Sequence, residues 1–320
     1  MSIQPGMKRW ISIGAVFLVA AAGTTLAGIQ GTGFRLFAVI GTVDAGGDDL
    51  VVSGIRYDTS HAHVTVDGRP GHVSQVRRGH IVTIQGSVSS RGAAAIADEI
   101  VLESDVRGEV SSVDLTQGVI SVLGQTIQVT DESVLDPRIQ PNDLSGITRG
   151  TWVKVSAYQR PDGRFTASRV NLDLAPGQLQ VRGAVRALDS AHQTLRVGGL
   201  TVDYSSAKIQ GAIAEGAVVL ARGVQTRPGG PLFATSVDVF NGIGHHGGKG
   251  DVQGIVTTFA SAADFEVDGQ PVSANAKTVY VLHGRALGAD LPVRVTGHFD
   301  ATGVLIARKI QTDSAHKNRR

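Results

Sequence analysis

The 320-residue sequence predicts an all-β protein: four tandem five-stranded, barrel-like units resembling the oligonucleotide-binding barrel, behind an N-terminal signal segment. Three observations lead there. The pattern Val-x-Gly-x-Val recurs at residues 39–43, 106–110, 181–185 and 252–256, its glycines 67, 75 and 71 positions apart, and a near-constant spacing of that size marks an array of one small unit. Only 5% of residues are aromatic while 41 are glycine, so the cores must be built from Val, Ile, Leu and Ala between tight turns. Each repeat then carries the same later landmarks in the same order.

The Val-x-Gly-x-Val strand opens each unit, and its central glycine suits a sharp bend where a small sheet curls over itself. A hairpin follows, with Ser53-Gly54, Leu123-Gly124, Gly198-Gly199 and Asp268-Gly269 at the turn, positions that need the positive φ glycine accepts cheaply. Next comes a central strand in which Val82, Val153, Val219 and Val293 align, as do Ile84, Val155, Ala221 and Val295, with Thr83, Lys154, Leu220 and Arg294 between them. That alternation predicts one buried and one wetter face. Each unit closes on a small residue and a branched residue flanking two others: Ala97 to Ile100, Ala167 to Val170, Ala234 to Val237 and Ala307 to Ile310. A period of three breaks strict alternation and predicts a bulge. Five strands in about sixty residues fit a small closed barrel; an SH3-like barrel or an open sandwich fits the same count. The stretch 130–147, with Pro137 and Pro141, reads as a loop or one short helix.

These landmarks divide the chain into a signal peptide at 1–27, units at 38–104, 105–174, 179–241 and 250–311, and a basic tail at 312–320. Ala175-Pro176-Gly177 and the glycine-rich stretch 241–250 read as linkers, whereas the first two units abut and are expected to form the more rigid pair. Lys8 and Arg9, the apolar run 10–22 and the small residues Thr25 and Ala27 are the parts of a secretory signal. The run is short for a transmembrane helix, so cleavage after Ala27 is the expectation and an uncleaved anchor the alternative. No cysteine occurs. The units must therefore be stable on packing alone, and a bacterial periplasm or exterior is the expected location.

Charge restricts the partners. Formal net charge is +2; losing Lys8 and Arg9 with the signal removes it, and setting aside the three cations of His316–Arg320 leaves the folded body at about −3. There is no basic surplus to attract nucleic acid. Membrane contact is expected only through an uncleaved signal or the basic tail.

Residues 41–43, 53–60, 67–68, 108–110, 122–129 and 162–170, the last reading Asp-Gly-Arg-Phe-Thr-Ala-Ser-Arg-Val, resemble domain-of-unknown-function family 5666, well over 38–174 and more loosely over 179–311. The resemblance implies tandem β-rich units in an exported bacterial protein and brings no catalytic residues. Many members look like lipoproteins with a cysteine after the signal, which this chain lacks.

No reaction is legible. Without cysteine there is no thiol nucleophile, and neither a Gly-x-Ser-x-Gly elbow nor a His-Glu-x-x-His helix occurs. Gly242-Ile243-Gly244-His245-His246-Gly247 has dinucleotide-turn spacing but runs into another strand rather than a helix, and so reads as linker. His61, His63, His72 and His80 crowd the first unit, and His61 and His63 would share one face of an extended strand; a Zn²⁺, Cu²⁺ or Ni²⁺ site would follow if all converged, solvent-facing histidines if not. Trp152, on one alternation face with Lys154 and Tyr158, could stack a sugar or peptide, or simply lid its own core. The expectation is a non-catalytic exported protein, without cofactor, that serves as a structural or binding array for an envelope protein or polysaccharide. The alternative is a metal- or small-ligand-binding module centred on the first unit.

Overall fold

The computed structural model describes residues 34–89, 95–175, 177–243 and 248–312. The expected signal segment, the tail beyond Thr312 and His245-His246 lie outside the described residues. Opening strands run Phe34–Ala45, Val106–Asp114, Leu179–Asp189 and Lys249–Ser261. Hairpins follow at Val51–Val52 with Ile55–Asp58, Val119–Val122 with Gln125–Gln128, Thr194–Val197 with Leu200–Asp203, and Asp264–Val267 with Gln270–Ser273. Central strands are Ile81–Ser89, Trp152–Gln159, Val218–Val224 and Pro292–Phe299. Closing strands are Ala95–Leu102, Phe165–Leu172, Leu232–Val239 and Leu305–Thr312.

The opening strand pairs antiparallel with the first hairpin strand and with the central strand, the central strand pairs with the closing strand, and the second hairpin strand runs parallel to the closing strand. That completes a ring of five. The same pairings close in the second stretch, the third and the fourth. A five-stranded ring with one parallel seam is the oligonucleotide-binding type of barrel. The expected bulge is present: across from Gln85-Gly86, Ser156-Ala157, Arg222-Gly223 and Thr296-Gly297 the closing strand carries one extra residue. In the second stretch, 130–147 holds no α-helix but a short strand, Val134–Leu135, and a 3-10 turn at Leu144–Gly146.

The motif glycine has a steric cause. A Cβ on Gly41 would lie 2.5 Å from Ser53 Oγ, on Gly108 2.9 Å from Leu123 Cγ, on Gly183 2.7 Å from Val197 Cγ1, and on Gly254 2.9 Å from Asp268 Cβ. The end of the hairpin crosses that spot in each barrel. Beyond the glycine the opening strand leaves the central strand and joins the hairpin, at Val43, Val110, Val185 and Val256.

Before the glycine, the other edge of the opening strand is free of its own hairpin, and such edges seek partners. Residues 37–40 pair in parallel with 249–252, and Val106-Arg107 pairs antiparallel with Gln180-Val181. The sheets thus join the first barrel to the fourth and the second to the third, correcting the expectation that the abutting first and second form the tighter pair. Apolar cores follow the same grouping: the second and third barrels share one continuous cluster, and Ala38, Ile40 and Ile81 of the first pack into the core of the fourth. Polar contacts link the remaining pairs: Lys154 to Asp67 and Tyr158 to Thr42 (second to first), Arg222 to Glu103 (third to first), Arg182 to Asp268 (third to fourth), and Arg160 to Asp290 (second to fourth). Every barrel touches the other three. The face expected to be wet is therefore largely covered: Lys154 and Arg294 are only partly exposed, and each is ion-paired.

Candidate functional site

A polar cleft that includes His80, a residue singled out by the sequence, lies between the first and second barrels, where the central and closing strands of the second face the loop before the central strand of the first. Its volume is about 590 Å³, and its wall includes Asp67, Arg77, His80, Lys154, Arg169 and Asn171. Lys154 and Arg169 stand on the outer face of their barrel because alternation puts their neighbours Val153, Val155 and Val170 into the core.

Three carboxylates of the cleft are each matched by one cation. Asp67 Oδ2 accepts from Lys154 Nζ at 2.6 Å and its Oδ1 from the Ser104 amide at 2.9 Å. Burial presses the Asp67 carboxyl upward, but these bonds outweigh it and hold the group below its ordinary value. Asp136 takes two bonds from Arg138, at 2.9 and 2.6 Å, which hold it down to about 2. Asp173 accepts from Arg107 Nε at 2.6 Å.

Two guanidiniums have no such match. Arg169 is 4% exposed; its Nε donates to Asn171 Oδ1 at 2.7 Å and its Nη1 to the Arg78 carbonyl at 2.8 Å. No carboxylate among the described residues lies within ion-pairing distance of it or of Arg77. Burial lowers the Arg169 pKa, and although Asp136 pulls the other way, repulsion by Arg77 and Arg138 adds to the fall. The three cations thus share one neighbourhood.

His80 sits at the back of the cleft. Its Nδ1 accepts from the Arg77 amide at 3.0 Å and its Nε2 lies 2.7 Å from Asn171 Nδ2. Burial, then the charge of Arg169, pushes its pKa down to about 3 against the pull of Asp67, so the ring is neutral at ordinary pH.

The four histidines of the first barrel do not converge. His61 lies in a turn rather than on the strand that begins at His63, so the two do not share a strand face. His61, His63 and His72 are exposed while His80 is buried, with its Nδ1 taken by the Arg77 amide. Among the described residues no group of three or more His, Asp or Glu is arranged to hold a metal. Trp152 begins its central strand, packs against the shared core of the second and third barrels and does not line the cleft. Sequence reasoning passed over Arg77, Arg169 and Asn171. No sequence signal set Arg169 apart, since the matching slot carries Glu99, Ser236 and Lys309, the last also a cation.

A family model described as "Domain of unknown function (DUF5666)" matches residues 107–171, 182–238 and 253–311. The matched stretches make up more than half of the sequence, and the chain belongs to that family. They fall on the second, third and fourth barrels; the first, with the same strand pairings, lies outside them. No curated protein matches. Among solved structures the chain is similar to "drosophila Unr CSD456", with 14% identity, a TM-score of 0.21, and coverage of 63% of this chain and 97% of that one. A likeness that slight carries no functional argument.

Proposed function

We propose that the protein is a non-catalytic exported component of the periplasm or cell envelope, whose interlocked barrels form a rigid platform for a protein or polysaccharide partner. The observation that carries this reading is the mutual contact of all four barrels through strand pairing, shared apolar core and cross-barrel ion pairs, which favours a stiff body over a string of domains. The secretory pattern at 1–27 supports export. Partner binding is served by edge strands such as Val279–Val281, which pairs on one side only and exposes all three side chains.

The test is affinity capture from an envelope fraction by the mature protein, followed by saturable binding of the purified partner in a reconstituted assay. Turnover of a screened substrate that disappears with one side-chain substitution would overturn the non-catalytic reading.

A further inference from the structure

We infer that the cleft between the first and second barrels binds an oxyanion, such as a carboxylate, phosphate or sulfate group, with the guanidiniums of Arg169 and Arg77 as its cationic contacts. The argument is one of charge balance. Buried charges in proteins are paired, because an uncompensated one loses its hydration with nothing in return. In this cleft Asp67, Asp136 and Asp173 are each taken by Lys154, Arg138 and Arg107. The guanidinium of Arg169, buried and held in place through Asn171 and the Arg78 carbonyl, is left in excess with Arg77 beside it.

A fixed guanidinium whose charge is unmatched is pre-organised for two-pronged recognition of an oxyanion. Asn171 and His80 act as positioning residues, since they bond Arg169 and the Arg77 backbone. A volume of about 590 Å³ is larger than a bare ion needs, and the wall mixes Ser104, Ser156 and Asn171 with Leu102, Leu172 and Pro137, which suits the hydroxyls and the carbon face of a sugar carrying the anion. The identity of the ligand as part of an envelope polysaccharide rests on the platform reading above; the oxyanion site itself does not.

The experiment is calorimetric titration of the signal-free full chain with inorganic phosphate, sodium glucuronate and, as the uncharged control, glucose, at 20 and 200 mM NaCl. Saturable one-to-one binding of glucuronate or phosphate, absent for glucose, weaker at the higher salt, and reduced at least tenfold in Arg77→Gln, is expected. Arg77 makes no described side-chain bond, so that variant keeps the fold; Arg169→Gln, checked for folding by circular dichroism, should lose binding altogether. Tighter glucuronate than phosphate assigns the anion to a sugar; the reverse assigns it to a free ion, and both support the site. No binding of either anion at millimolar concentration, or binding unchanged in Arg77→Gln, would overturn it. Envelope-partner capture that persists without anion binding would sink this inference and leave the platform standing; turnover of the bound anion would do the opposite.

Discussion

Two buried titratable side chains, His80 and Asp105, tie the interfaces to pH in opposite directions. The folded pKa of His80 lies near 3, well below its ordinary 6.5, so the unfolded chain takes up a proton first and stability is lost as pH falls from 6.5 toward 3. Linkage sets the slope at about 1.4 kcal/mol per pH unit for one such group. Urea melts between pH 7 and 4.5 should show this fall, and His80→Gln should lose that share of it. Asp105 is buried beside Arg182 and Asp268; burial raises its carboxyl, Arg182 opposes and Asp268 adds to the rise. Its contribution is complete below 3.8 and is lost as pH rises toward neutrality. Asp105→Asn should therefore be more stable than the parent at pH 8, by on the order of 1 kcal/mol, with the gain vanishing toward pH 4. An equal shift at both pH values would show that Asp105 stays ionised in the folded chain. The burial of neither group was legible in the sequence, although His80 itself stood out as one of four histidines in the first unit. Alternation separates the barrel interior from its outside, but the outside of one barrel here is the inside of an assembly, and a charged residue looks the same whether it faces water or a neighbour.

Strands and turns were legible because each depends on local chemistry. Gly54, Gly124, Gly198 and Gly269 all have positive φ, as hairpin turns require, and the motif glycine stands where the hairpin passes too close for a side chain. Val197 is fully buried and β-branched, hence stiff about χ1. Gly183→Ala should accordingly cost about 1–3 kcal/mol through overpacking, measured by urea denaturation. Combined with Val197→Ala it should cost less than the sum of the single changes; strict additivity would mean that this contact is not the reason for the glycine. What the strands could not announce is which edges would meet. The free stretch of each opening strand is the same kind of edge in all four barrels, yet one pair meets in parallel and the other antiparallel, a choice made by the shape of the assembled body.

At the scale of the molecule, the shared cores and cross-barrel ion pairs predict a single cooperative transition in scanning calorimetry, with van't Hoff and calorimetric enthalpies in agreement. Separate transitions would instead indicate independent units joined by linkers, as the glycine- and proline-rich joints alone suggest. Arg182→Met, which leaves Asp105 and Asp268 facing each other without their cation, should lower stability by about 3–5 kcal/mol and do so for the whole body at once.

The parallel contact between residues 37–40 and 249–252 has a consequence for how the chain reaches this state. Contacts between segments so far apart in sequence form late and slow folding, because the loop they close must first be ordered. The first barrel can close its ring early, but its exposed edge must wait for the last quarter of the chain. A chain made from its N-terminus would carry that open edge through most of its synthesis, and a chain that ended early would carry it permanently.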